Sequence, residues 1–194
     1  MSYFEKVKDF VDEKFKEAGR KDHLVHLRRT VDWVEELRPD ADEALLIAAY
    51  AHDIQHAERW SNSVEQREKE RPERRDFRDK ERMKKHEARG AEIIGDFLRE
   101  KGAPEEMVER VENLIDNHEE GGTEDQNILK DADSVSFLET KIDAFLEKAG
   151  VKLRKKDVRD KFDYMFERLS TQRAREISEP WYREAVYKLE EKSE

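Results

Sequence analysis

His52-Asp53 closes the apolar run Ala44-Leu45-Leu46-Ile47-Ala48-Ala49-Tyr50-Ala51, so an imidazole and a carboxylate are carried to the edge of a core. Burying such groups without partners costs several kcal/mol, and ionised groups in cores are normally paired or bound to a metal. Partners exist elsewhere in the chain: His26 upstream, His86 and His118 downstream, and Asp133 in Lys130-Asp131-Ala132-Asp133. Imidazole nitrogens and carboxylate oxygens are the donors that divalent transition metals and magnesium take. A carboxylate has two oxygens and can bridge two ions, whereas an imidazole gives one nitrogen to one ion. His26, His52 and Asp133 with Asp53 would make one donor set; His86 and His118, sharing Asp53, would make a second. Two metals roughly 3.5–4 Å apart could position a hydroxide and stabilise charge on a phosphoryl group.

Other residues near these positions divide into chemical and structural readings. An imidazole ordinarily titrates near neutrality, so His56 could contact phosphate or donate a proton. Arg59, three positions on and on roughly the same helical face, could grip a phosphate. His23 shares the face of His26 at i,i+3 and is expected at the surface, as is a solvated Glu87. Arg67, Arg71, Arg74, Arg75 and Arg78 read mainly as a solvated charge run, with substrate contact as the alternative. Trp181 and Tyr182 read as packing residues.

The elements that must position these groups are helices. Tyr3-Phe4, Val7, Phe10-Val11 and Phe15 recur at helical spacing, with Gly19 closing the element. Asp22 is placed to cap a second helix carrying Leu24, Leu27, Val31, Val34 and Leu37, with Pro39 past its end. A third helix runs from about Asp42 through the His-Asp pair, and its wide apolar face puts it at the centre of a bundle. Residues 58–85 are almost wholly charged and hold Pro72; they form either a lid between core helices or a solvated connecting helix. The helical pattern resumes from Ala88 to Leu98 and stops at Gly102 and Pro104. Another stretch leads from Met107 to His118, and a long one from Ile128 to Leu146 ends at Gly150. The C-terminal part, 151–194, predicts a helix around Phe162-Leu169 and another after Pro180. No strand alternation persists.

Length and composition set the outer limits. The 194 residues suffice for one domain with a substantial core. With 45% charged and 36% hydrophobic residues, every element must be strongly two-faced. The net charge of −10 argues against a nucleic-acid polymer as partner but leaves room for a nucleotide in a locally positive pocket. The absence of cysteine removes disulfides and thiolate zinc sites. No apolar stretch approaches the roughly 18 residues of a membrane span, and the start lacks a signal-peptide pattern, so a soluble, cytoplasmic protein is expected. Richness in Glu, Lys and Arg fits a thermophilic source.

The order of these words resembles the HD-domain superfamily of metal-dependent phosphohydrolases. The matching segments are His26-Leu27-Arg28-Arg29-Thr30-Val31, Ala49-Tyr50-Ala51-His52-Asp53-Ile54, His86-Glu87-Ala88-Arg89-Gly90-Ala91, Ile115-Asp116-Asn117-His118 and Asp131-Ala132-Asp133, covering roughly 22–138. The resemblance implies an all-α, single-domain HD-type bundle over 1–194 with a central His-Asp helix. It implies His26, His52, Asp53 and Asp133 as primary metal ligands, with Asp131 as the alternative to Asp133. His86 and His118 match the additional histidines of members that hold two metals or contact substrate phosphate. Many relatives continue His-Asp-Ile-Gly-Lys; here Gln55-His56 replaces Gly-Lys, so a catalytic lysine is not carried over. The implied cofactor is one or two divalent ions, from Mn, Mg, Fe, Ni, Co or Zn. The implied activity is hydrolysis of a small phosphomonoester or phosphodiester, with a nucleotide among the candidates. Asp53, His86, His118, His56 and Arg59 are the candidate catalytic groups. A di-iron oxygenase on the same ligands and a non-catalytic sensing domain are the alternatives, and self-pairing into a homodimer is left open.

Overall fold

The computed structural model describes residues 1–61 and 76–192. Among them the secondary structure is helical, with α1 (Tyr3–Glu17), α2 (His23–Leu37), α3 (Glu43–Ala51), α4 (Ile54–Ser61) and α5 (Lys80–Glu100) followed by α6 (Glu105–Ile115). Then come α7 (Glu124–Thr140), α8 (Ile142–Lys148), α9 (Lys155–Glu167) and α10 (Gln172–Glu191). No strand is formed by the described residues beyond one isolated bridge, Ala149 to Leu153. None of the described helices is long and apolar enough to cross a membrane.

Local chemistry sets several of the boundaries. Ser2 and Glu5 form a capping box on α1, and Thr123 and Gln126 form one on α7, satisfying backbone N–H groups that a helix start leaves open. Asp42 caps α3 through the Leu45 N–H. Asp22 does not cap α2 as expected; its carboxylate instead pairs with Arg20 at 2.8 Å. Gly19, at φ 67°, closes α1 in the left-handed region. The long helix expected from Ile128 to Leu146 divides at Lys141 into α7 and α8. Pro180 lies inside α10 rather than before it: the helix starts at Gln172 and seats Ala174 and Ser178 ahead of the proline, and Ala185 and Leu189 after it.

Two helices carry the interior. α3 buries Ala44, Leu45 and every residue from Ile47 to Ala51, as its apolar width implies. α7 is buried from Ile128 to Leu138 and packs along α2. The first core gathers residues of α1, α2, α3, α5 and α6 with Ile128, Leu129 and Ala132 of α7. Phe137 and Leu138 of the same helix join a second core with α8, α9 and α10. A helix that serves two cores is shielded on most of its circumference. Its polar residues are therefore held among side chains rather than water, and Asp131 and Asp133 are both buried.

The segment expected as lid or connector, 58–85, falls partly outside the described residues. Its flanks belong to α4 and to the start of α5. Val64, Arg67, Arg71, Arg74 and Arg75 lie outside the described residues, as does the side chain of Arg59.

Candidate metal centre

The His-Asp pair sits where α3 stops and α4 begins. The His52 Nδ1–H donates to the Ala49 carbonyl at 3.0 Å, a local side-chain bond that competes with the helix ladder just where the helix ends. His118 repeats the arrangement past the end of α6, with its Nδ1 3.0 Å or less from a carbonyl three residues back, 2.7 Å from Ile115 O. His26, on α2, places Nδ1 2.8 Å from Ser136 Oγ, whose own hydroxyl donates to the His26 carbonyl. His86, on α5, places Nδ1 3.1 Å from Gln55 Oε1. All four rings thus spend Nδ1–H on an oxygen, which leaves Nε2 as the nitrogen available to a cation.

Those Nε2 atoms converge on two carboxylates. Asp133 Oδ1 lies 3.1 Å from His26 Nε2 and 3.5 Å from His52 Nε2. Asp53 Oδ2 lies 3.7 Å from His52 Nε2 and 3.9 Å from His26 Nε2, while its Oδ1 lies 3.2 Å from His86 Nε2. His118 stands 5.1 Å from His52 and 5.4 Å from His86, ring centre to ring centre. Donors bound about 2.1 Å from one small cation are about 3.0–3.4 Å apart, so this spacing is close to that of a coordination shell. The two Asp53 oxygens face different histidines, as the bridging role expected from the sequence requires.

Whether the residues fit a cation is decided by an orphan. His52 Nε2 is completely buried, has no hydrogen-bond partner, and is aimed between Asp53 and Asp133. Burial alone pulls an imidazole toward its neutral form, yet the two carboxylates overcome it and push His52 up to about 9. His26 and His118, also buried, are lowered, His118 to about 4. Asp53 and Asp133 stay ionised far below the usual carboxylate range, because nearby His and Arg charge outweighs their burial. The two carboxylates thus draw positive charge to the centre of the pocket, supplied either by a proton on His52 or by a cation held in its place. The donor set fits a divalent ion.

Sequence reasoning placed His23 at the surface; it is buried at 7% exposure and stacks on Phe15 at 4.9 Å. Lys141 Nζ lies 3.3 Å from His23 Nδ1, and an ammonium can only donate, so that nitrogen accepts. His23 Nε2 must then carry the proton that reaches Asp53 Oδ2 at 2.8 Å. His23 is therefore a positioning residue for Asp53 and not a fifth lone pair. The signal was its spacing of three from His26; what hid it was that the shared face is covered by α1. Glu87 is likewise fully buried instead of solvated, and its Oε1 accepts the Glu119 N–H at 2.8 Å, fixing the turn that carries His118.

Asp131 and Asp133 are separated by role. Asp131 accepts from Ser170 N at 2.7 Å, Thr171 N at 2.8 Å and Thr171 Oγ1 at 2.7 Å, and so anchors the start of α10. Asp131→Ala should cost about 1–3 kcal/mol in urea unfolding, by stranding those donors, and leave metal content unchanged. Asp133→Ala should lose the metal, which elemental analysis of the two variants side by side will show.

Arg168, which the sequence reading passed over, is a further part of the centre. It is buried to 6% side-chain exposure, contacts both Asp133 Oδ2 and Glu119 Oε2, and donates from Nε to Ser134 Oγ at 2.7 Å. Burial acts to raise the Glu119 carboxyl, but the Arg168 guanidinium overcomes it and holds Glu119 down at about 2. A depressed carboxyl stabilises the fold above its ordinary value near 4.5, and that stability is lost as pH falls toward 2. Glu119→Gln should flatten the fall in unfolding free energy across that window, on the order of 3 kcal/mol, when chemical denaturation is followed from pH 6 downward in about half-unit steps.

Of the residues expected from sequence, His26, His52, Asp53, His86, His118 and Asp133 come together, and His56 joins them at the edge, 3.6 Å from Asp53 Oδ1 and stacked on His86 at 4.6 Å. Comparison with known proteins agrees with the architecture. The model of the family described as "Domain of unknown function (DUF4202)" matches residues 6–189. A solved structure of a predicted HD superfamily hydrolase from an uncultured Thermotogales bacterium is similar in fold, with a TM-score of 0.56 and 23% identity. That similarity covers 96% of this chain and 88% of the other. No curated protein matches the chain.

Proposed function

We propose that this chain, which belongs to the DUF4202 family, is an HD-type metal-dependent phosphohydrolase acting on a small phosphomonoester or phosphodiester. The observation that carries the reading is the set of four imidazoles with Nδ1 tied to oxygens, of which His26, His52 and His86 turn Nε2 onto Asp53 or Asp133 and His118 stands beside His52 and His86, leaving His52 Nε2 unpartnered. Supporting partners of this kind orient metal-binding histidines and raise their basicity. His26, His52, Asp53 and Asp133 would hold one divalent ion, and Asp53, His86 and His118 a second. An ion held there supplies Lewis-acid activation of water and neutralisation of phosphoryl charge.

The protein's own side chains do the remaining work. His23 Nε2–H holds Asp53 in the orientation that presents one oxygen to each group of histidines. Arg168 fixes Asp133 from behind, so that its other oxygen faces His26 and His52. Access is set by burial: His26 and His52 are sealed, whereas the His56 side chain is 31% exposed beside Asp53. Substrate therefore approaches from the side of His56 and His86. There His56 is placed to give a proton to the leaving oxygen as the ester bond breaks. The continuous burial of α7 between two cores supports one domain working as a unit.

The test is a screen of phosphomonoesters, phosphodiesters and nucleotides with the protein loaded in turn with manganese, cobalt, nickel, magnesium, zinc or iron. Release of phosphate that chelation stops is the expected result. Consumption of dioxygen by iron-loaded protein, without phosphoester hydrolysis, would move the reading to a di-iron oxygenase. Inactivity across the whole screen, alongside tight nucleotide binding, would indicate a sensing domain.

A further inference from the structure

Lys161 and Tyr164 of α9 and Arg168, the residue at its C-terminal cap, stand at i, i+3 and i+7, one stripe along one face. Two of the three are occupied. Arg168 is spent on Asp133 and Glu119, and the Tyr164 hydroxyl lies 3.0 Å from Glu119 Oε2. Lys161 is different. Its Nζ stands 5.0 Å from the Phe137 ring, 5.4 Å from Tyr164 and 5.6 Å from Phe77, a cage of three aromatic faces. Among the described residues none offers it a hydrogen bond or an ion pair.

The ammonium nevertheless feels the charged centre. Burial lowers Lys161 from its ordinary range, and the fields of Glu119, Asp133 and Asp53 act to keep it charged, although none of these carboxylates is within ion-pair distance. Aromatic faces hold a cation but cannot replace all the hydrogen bonds it loses on leaving water. A half-buried ammonium held by aromatic faces and without an oxygen partner, on the stripe whose other two members reach Glu119 and Asp133, is suited to receive an anion. The stripe also packs against the helix of His86: Tyr164 Oη meets Met83 Sδ at 3.3 Å, and Met83 is one helical turn before His86 on α5.

We propose that Lys161 is the residue that grips the anionic phosphoryl group of the substrate, and that it sets the preference for phosphorylated compounds. This rests on the phosphohydrolase reading for the substrate class, and on the aromatic cage for the residue.

The test is titration of the as-purified protein with inorganic phosphate by calorimetry, together with Lys161→Met and Lys161→Arg. Methionine keeps the stem inside the cage and removes the charge. Lys161→Met should weaken phosphate binding about tenfold or more, with metal content and thermal midpoint unchanged, and Lys161→Arg should restore most of it. Phosphate affinity unchanged in Lys161→Met, or a loss of thermal stability with affinity intact, would overturn the proposal and leave the hydrolase reading standing. Failure of the wild-type protein to bind phosphate would overturn it as well. Phosphate binding that depends on Lys161 in a protein that hydrolyses no phosphoester would uphold the anion seat while removing the hydrolase reading.

Discussion

Asp53→Asn should empty the metal centre and abolish phosphoester hydrolysis while leaving the helical fold in place. Asparagine keeps the shape of the side chain and removes its charge. Asp53 Oδ2 meets His23, His26 and His52, and its Oδ1 meets His86 and His56, so one carboxylate contacts both halves of the donor cluster. Losing a residue that merely supports a ligand typically costs about 10–100-fold in metal affinity. Losing this one should cost more than about 100-fold, because an anionic ligand disappears from both sets at once. Two readouts check it. Elemental analysis should find the metal absent, and added metal should raise the thermal midpoint of the wild type but not of the variant, since only a ligand that binds the folded state stabilises it. A full metal complement in Asp53→Asn would show that the cluster is not a metal centre.

Arg168→Met should be the most destabilising single change at the site. The guanidinium lies between Asp133 and Glu119, whose side chains are 10% and 14% exposed, and all three are shielded from water. Removing one partner from a buried ion cluster leaves uncompensated charge and costs about 3–5 kcal/mol. For a chain of this length each kcal/mol moves the melting temperature by about 2–4 °C, so the midpoint should fall by roughly 10 °C. Divalent metal should recover part of the loss, because a cation beside Asp133 replaces some of the missing positive charge. Arg168→Lys should recover only part, since a single ammonium cannot span two carboxylates as the forked guanidinium does. A melting temperature within about 2 °C of wild type would mean that Arg168 is not the counter-charge of the centre.

The site was legible in the sequence wherever residue type and neighbours sufficed. An imidazole and a carboxylate at the end of an apolar run have few ways of being buried, and the order of His26, His52-Asp53, His86, His118 and Asp133 pointed to one that involves a metal; the structure brings these residues into groups that could hold one. Helix positions were readable for the same reason, because apolar periodicity records which face turns inward. Boundaries were less so. The break after Ala51 depends on His52 bonding to the Ala49 carbonyl, and that bond depends on where the ring is needed.

Burial of polar side chains was the part that local pattern could not decide. His23 and His26 share a face, but whether both go inward depends on Phe15 of α1 covering that face. Asp131 and Asp133 stand about 200° apart around α7, so two neighbours of like chemistry serve different masters, the start of α10 and the histidine cluster. Phe162, Met165 and Leu169 marked the apolar side of their helix in the sequence, but nothing there singled out Arg168, which reaches Asp133 only through the packing of that helix on α7.

The chain by itself determined which donors exist, that they stand on helices, and in what order they occur, because these follow from side-chain chemistry and from the helical period. Only the tertiary structure decided which nitrogen of each ring is free. For His52 and His118 a carbonyl three residues back makes that choice, but for His26 and His86 it is made by Ser136 and Gln55, far along the chain from the rings they hold. Orientation at those two rings is a property of the packed neighbours, and no local stretch of sequence encodes it.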